Sequence, residues 1–194
     1  MPPHSIFGEY YFRKHEMVSG FNFSKDGTFQ FFFSYGAVDR QASGTFEVEG
    51  DVVKLKSDKE PGKDFIIEKQ GKQAGGGYHI AVKHPNAFLL NYIVGVFFVG
   101  EEQHVEQTGS SGEIHVDLPH CDKIFVQHGL FPDILTLIKD ADNDNNYFEL
   151  SLSPSLDQVS FKGIDLKIEG EALTCLPNYF MPMEGIAFVK QSGS

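Results

Sequence analysis

Two short stretches of this chain carry the residue types from which metal sites are made. The first is Asp140-Ala141-Asp142-Asn143-Asp144-Asn145-Asn146. Asp140, Asp142 and Asp144 stand at alternate positions with Asn146 two further on, and together they offer oxygens to a hard cation such as Ca²⁺. A twelve-residue calcium loop needs Gly at its sixth position and a bidentate Glu at its twelfth. Counted from Asp140, those places hold Asn145 and Ser151. The expected state is therefore a solvated turn, built from Asp and Asn because both tolerate the left-handed backbone region. Calcium is the one cofactor this stretch offers. The second stretch holds His115, Asp117, His120, Cys121 and His128, which are transition-metal ligand types. Strand alternation puts His115 and Asp117 on one face and His128 on the other, and it leaves His120 and Cys121 in a turn. No pair has zinc-finger spacing. These residues are expected to be surface histidines without a metal.

Local signatures of catalysis are missing. The chain has no Gly-x-Ser-x-Gly, no phosphate-binding loop, no dinucleotide fingerprint and no His-Glu-x-x-His. Gly109-Ser110-Ser111-Gly112 reads as a turn, because no strand-to-helix step surrounds it. Glu101 and Glu102 are adjacent, so on a strand they face opposite ways. No catalytic residue is assigned, and any active site would have to be assembled from distant strands.

The elements that would position these residues read as short strands. Phe21-Asn22-Phe23-Ser24, a Lys25-Asp26-Gly27 turn and Thr28 to Tyr35 form a hairpin. Phe29, Phe31, Phe33 and Tyr35 share one face, and Phe32 points from the polar face. Thr45 to Glu49, Gly50-Asp51 and Val52 to Lys56 form a second hairpin, with Phe46 and Val48 facing the same way as Val53 and Leu55. A third hairpin is expected from Glu113 to His128 around Pro119-His120-Cys121. It would set Val116 opposite Ile124, Ile114 opposite Val126 and Asp117 opposite Lys123. Further strands are expected at 65–67, 78–83, 134–139, 147–152, 159–161, 164–168 and 186–190. A short helix at 132–138 is the rival reading for one of them. The pattern predicts an all-β fold, with an antiparallel meander or barrel-like unit over residues 1–90 followed by a β-sandwich-like unit over 91–194. A single domain remains the alternative.

Composition narrows the partners. Nineteen Phe and seven Tyr in 194 residues supply a core, and Trp is absent. The net charge of −11 opposes a phosphate-backbone partner or an anionic membrane surface. No apolar run is long enough to span a membrane as a helix. The first residues, Met1-Pro2-Pro3-His4, lack a basic segment followed by an apolar one. The expected location is the cytoplasm if the chain is complete as given, and outside it if a leader has been removed. Cys121 and Cys175 are too few for a disulfide framework and are read as packed thiols or one bridge.

Gly8-Glu9-Tyr10, then Phe23 to Phe29 around Lys25-Asp26-Gly27, then Gly44-Thr45-Phe46 leading into Gly50 to Leu55, resemble small lipocalin-like barrel modules over about residues 7–70. Tyr10 and Phe46 stand where such modules carry Trp. The resemblance implies a cupped sheet able to hold an apolar ligand, and it implies no catalytic residue. Thr108 to Val116, Lys123 to Val126 and Asn146 to Leu152 resemble prealbumin-like or carboxypeptidase-regulatory-like β-sandwich domains over about residues 95–190. Those modules serve folding or interaction.

The leading functional expectation is a non-catalytic binding or interaction module. Its candidate ligand surface is the aromatic face of Phe21, Phe23, Phe29, Phe31, Phe33, Tyr35, Phe46 and Val48, unless those rings are core. The alternatives are an assembly protein acting through protein contacts or self-association, and an enzyme with a dispersed site.

Overall fold

The computed structural model describes residues 5–191. The fold is all-β, and it forms two compact units. Among the described residues, one unit takes 5–60 and 157–191, and the other takes 61–156. Residue 90, where the expected boundary falls after the break in strand pattern at His84-Pro85-Asn86, lies inside the second unit. Local pattern could not reveal this arrangement, because a unit built from both ends of the chain is defined by long-range pairing.

The first unit is a closed eight-stranded barrel. Strands β1 (Gly8–Lys14), β2 (Met17–Phe23), β3 (Thr28–Tyr35), β4 (Val38–Glu49) and β5 (Val52–Ser57) run as an antiparallel meander. The turn between β2 and β3 is set by Gly27, whose φ of 84° suits a residue without Cβ. The two predicted hairpins have the predicted faces, with Phe21 opposite Phe31 and Phe46 opposite Leu55. The chain returns much later with three more strands, which close the barrel onto β5 and β1. It leaves and re-enters at neighbouring points. The Lys59 ammonium donates to the Gln158 carbonyl at 2.8 Å, and the Phe161 N–H donates to the Ser57 hydroxyl at 2.7 Å.

The second unit is a sandwich of two four-stranded sheets. Its elements are β6 (Phe65–Gly71), β7 (Tyr78–Lys83), the short helix α1 (Ala87–Leu90), β8 (Ile93–Val99), β9 (Glu102–Gln107), β10 (Glu113–Val116), β11 (Lys123–His128), β12 (Thr136–Lys139) and β13 (Tyr147–Leu152). One sheet has the order β10-β7-β13-β6 and the other β12-β11-β8-β9. Ile80, Ile114 and Phe148 from the first sheet share a buried core with Ile93, Phe97 and Ile124 from the second. β9, all polar except Val105, forms an exposed edge.

The expected hairpin between β10 and β11 does not form. β10 pairs with β7, and β11 pairs with β8 and β12. The alternation in both segments is real, since Ile114, Ile124 and Val126 are all buried. They meet across the sandwich core, however, and not along a ladder. Alternation specifies which face is buried, and a strand in the facing sheet satisfies it as well as a neighbouring one. Residues 132–138 contain no helix, and Val159 to Phe161 form no strand.

The barrel closes with β14 (Leu166–Glu169), β15 (Ala172–Cys175) and β16 (Ile186–Lys190). Both cysteines are free thiols. Among the described residues no helix is long and apolar enough to cross a membrane.

Candidate functional site

The aromatic stripe lies in the barrel interior. Phe21, Phe23, Phe29, Phe31, Phe33 and Phe46 are buried, and they pack on Phe161, Phe180 and Phe188 from the returning segment. Phe21 is the hub, with ring centroids 4.7 Å from Phe31, 4.9 Å from Phe188 and 5.4 Å from Phe161. Met181, fully buried, accepts a weak hydrogen bond from the Ser19 hydroxyl at 3.9 Å. An eight-stranded barrel is about wide enough for its own side chains to fill it, and here aromatic rings do so. Tyr35 and Val48 keep the alternation but sit at strand ends and are exposed.

The outer face of β1 to β4 is organised differently. One cross-strand row runs Tyr11, Gly20, Phe32, Gln41, and the next runs Glu9, Asn22, Gln30, Ser43. Gly20 creates the relief. A Cβ there would lie 2.8 Å from Phe32 Cε1 and 2.9 Å from Tyr11 Cδ1, so both rings lean over the glycine. The rings meet edge to face at 6.0 Å. Around them is an open hollow of about 570 Å³. The Tyr11 hydroxyl donates to Glu9 Oε2 at 3.0 Å, and that bond is the main cause of its raised pKa. Ser43 donates to Asp58 at 2.7 Å, and the Gln41 amide donates to Asp157 at 3.3 Å. The carboxamides of Asn22 and Gln30 engage no other described residue. Phe32, read from sequence as the residue out of phase, is 39% exposed at the centre of this face.

The Asp-rich stretch is a loop closed by its own hydrogen bonds. Asp140 Oδ1 accepts from the Asp142 N–H at 3.2 Å, and Asn143 Oδ1 accepts from the Asn145 N–H at 3.0 Å. Asp144 faces Lys72 at 4.0 Å. Asn146 is turned to structural use: its Oδ1 accepts from the Gln73 N–H at 2.7 Å and its amide donates to the carbonyls of Gln73 and Gly77. The loop therefore pins the 73–77 connection.

The second predicted set is dispersed. His128 is fully buried, not exposed as expected. Its Nδ1 accepts from the Leu130 N–H at 3.3 Å, and its Nε2 bonds the Leu89 carbonyl at 3.0 Å. His120 pairs with Asp122 at 2.8 Å. The Asp122 carboxyl is held below its ordinary pKa first by the Gly100 N–H and then by His120. Cys121 is buried and bonds the Lys123 carbonyl. Only His115 joins a cluster, and its partners are residues that local reading did not connect with it.

Those partners lie on the outer face of the β10-β7-β13 sheet. His115 stands opposite His79, which stands beside Tyr147 on β13. The two imidazoles stack with centroids 3.9 Å apart and planes 25° from parallel, and Tyr147 meets His79 edge-on at 5.2 Å. Glu113, two residues before His115, places Oε2 3.8 Å from His115 Nε2. Burial, and then His115 beside it, lower the pKa of His79. Candidate ligand atoms of His79, Glu113 and His115 lie within 4.8 Å of one another. The sequence predicts a strand at 78–83 without singling out His79; the missing signal was the β7–β10 pairing.

Comparison of the chain with known protein families, with curated proteins and with solved structures finds no match.

Proposed function

We propose that this protein is a non-catalytic binding module that takes its ligand on the outside of the barrel. One observation carries this reading: exposed Phe32, half-buried Tyr11 and two uncommitted carboxamides share a single hollow on the face of β1 to β4, while the interior is packed with rings. In this reading the likeness to lipocalin-like barrels concerns the scaffold, and the binding face is the opposite side of the sheet.

The chemistry of the hollow suits a neutral glycan segment. The electron-rich faces of Tyr11 and Phe32 attract C–H bonds, as on the flat side of a sugar ring. Asn22 and Gln30 each supply donors and an acceptor to hydroxyls. Glu9 and a net charge of −11 oppose anionic ligands. Among the described residues lining the hollow, Glu9 is the one carboxylate, and the Ser43 hydroxyl donates to Asp58 with no histidine beside it to act as base, so the reading is of capture without turnover.

Neutral oligosaccharides of several linkages, titrated into the protein and followed by calorimetry and tyrosine fluorescence, test this. Saturable binding that Phe32→Ala and Gln30→Ala each weaken at least about tenfold is expected. The absence of saturable binding across the panel, or binding that both variants retain, would overturn it.

A further inference from the structure

We propose that His79, Glu113 and His115 form a three-ligand site for a divalent transition-metal ion, with zinc the ion best suited to the set. This inference is independent of the hollow on the barrel.

The sheet itself sets the geometry. β7 and β10 are antiparallel, with His79 directly opposite His115. The His79 backbone N–H donates to the Asn146 carbonyl, toward β13. Toward β10, His79 and His115 are therefore a non-hydrogen-bonded pair, the kind whose side chains approach most closely. Glu113 projects from the same face of β10 because it lies two residues from His115. In the next row Glu113 stands opposite Ala81. Tetrahedral zinc bonds of about 2.0–2.2 Å would place any two ligand atoms roughly 3.3–3.6 Å apart. The ligand atoms lie within 4.8 Å of one another, and binding one ion requires the two imidazoles to turn out of their stack until their ring-plane lone pairs converge.

The ligand chemistry points the same way. Two imidazoles and one carboxylate are the donors of open zinc sites, whereas calcium takes oxygens only. His79 Nε2 is buried and has no hydrogen-bond partner. An orphaned buried nitrogen is costly, and a bound ion is one of the few agents that satisfy it. The His115 and Glu113 side chains are 65% and 39% exposed, so an ion reaches them from solvent. With three protein ligands, a fourth position stays open to water or to an outside donor.

The test is calorimetric titration of zinc chloride into the chelator-treated full chain at neutral pH. One saturable site per chain is expected. His115→Ala should weaken it at least about tenfold, as should Glu113→Gln, and His120→Ala should leave it unchanged. His115 is exposed, so its variant is expected to fold and decides the matter if His79→Ala does not. No saturable zinc binding overturns the proposal. So does binding that survives His115→Ala or is lost in His120→Ala, since the pair of His120 and Asp122 is the rival site.

Discussion

The hydroxyl of Tyr179 is tied to both backbone groups of Ser160. It donates to the Ser160 carbonyl at 2.8 Å and accepts from the Ser160 N–H at 3.0 Å. Ser160 is buried, and it is followed by Phe161, whose ring packs on Phe21, Phe29 and Phe31. The segment meets β4 in a single bridge, Gln158 to Gln41, and Ser160 lies beyond it, so one phenol satisfies both of its backbone groups. Tyr179→Phe removes the oxygen and leaves two buried backbone groups unmet. A loss of about 2–4 kcal/mol in unfolding free energy is expected by urea titration, at about 1–3 kcal/mol per orphaned group. A loss below about 0.5 kcal/mol would mean that water or a shifted chain replaces the phenol.

Gly20 is predicted to be intolerant of even one methyl group. Its φ lies in ordinary strand space, so the constraint is contact and not backbone conformation. An added Cβ would lie 2.8 Å from Phe32 Cε1, 2.9 Å from Tyr11 Cδ1 and 2.9 Å from the Tyr10 carbonyl oxygen. The rings can turn away, but the carbonyl belongs to the β1–β2 ladder. Gly20→Ala should lower stability by about 1–3 kcal/mol, in the range for overpacking. It should also spoil the hollow, so glycan affinity falls together with melting temperature. Gly36→Ala is the contrast: nothing lies within 4 Å of its Cβ position, and its φ of 57° accounts for any cost.

The same contrast explains what was legible in the sequence. The β2–β3 and β4–β5 hairpins could be read because a short turn fixes partner and register together. Between β10 and β11 the alternation was equally clean, yet Pro119 and its neighbours carry the chain to the other sheet. Barrel closure by β16 on β1 joins residues nearly the whole chain apart, and no local pattern encodes it. β9 was missed because a solvated edge strand has no apolar face to announce it. The site fared as the fold did. Phe32 was visible as an anomaly, and His115 as a ligand type. The partners of His115 depended on the β7–β10 pairing, which is long-range.

Both thiols should resist modification in the folded protein, for different reasons. Burial pushes the Cys175 thiol up to about 11, against a weaker opposing bond from Asn178. At pH 8 about one molecule in a thousand would carry the reactive thiolate. Cys121 is fully buried and also raised by burial. An aromatic disulfide reagent should therefore label Cys175 slowly, with a rate rising about tenfold per pH unit from 8 to 10. Cys121 should follow the rate of local opening and label rapidly only in denaturant. Prompt labelling of both at pH 8 would contradict this packing.

His79 should make the protein less stable in mild acid. Its pKa in the fold lies below the ordinary 6.5, first because burial disfavours the charged ring and then because His115 and Lys83 oppose it, while Glu113 acts the other way. Tyr147 and Glu149 face the same surface from β13 and are joined by a hydrogen bond of 3.3 Å. Above pH 6.5 both folded and unfolded chains hold a neutral His79, and the group contributes no pH dependence. As pH falls below 6.5, the unfolded chain binds a proton that the fold resists, and stability declines until the depressed folded pKa is passed. Urea unfolding of the wild type and of His79→Gln between pH 7.5 and 5 isolates this effect. The stability difference between them should shift in favour of the variant as the pH falls. Adding zinc should steepen the wild-type loss, because protons and metal compete for the same nitrogens. A gap constant with pH would show that His79 is as easily protonated in the fold as in the open chain.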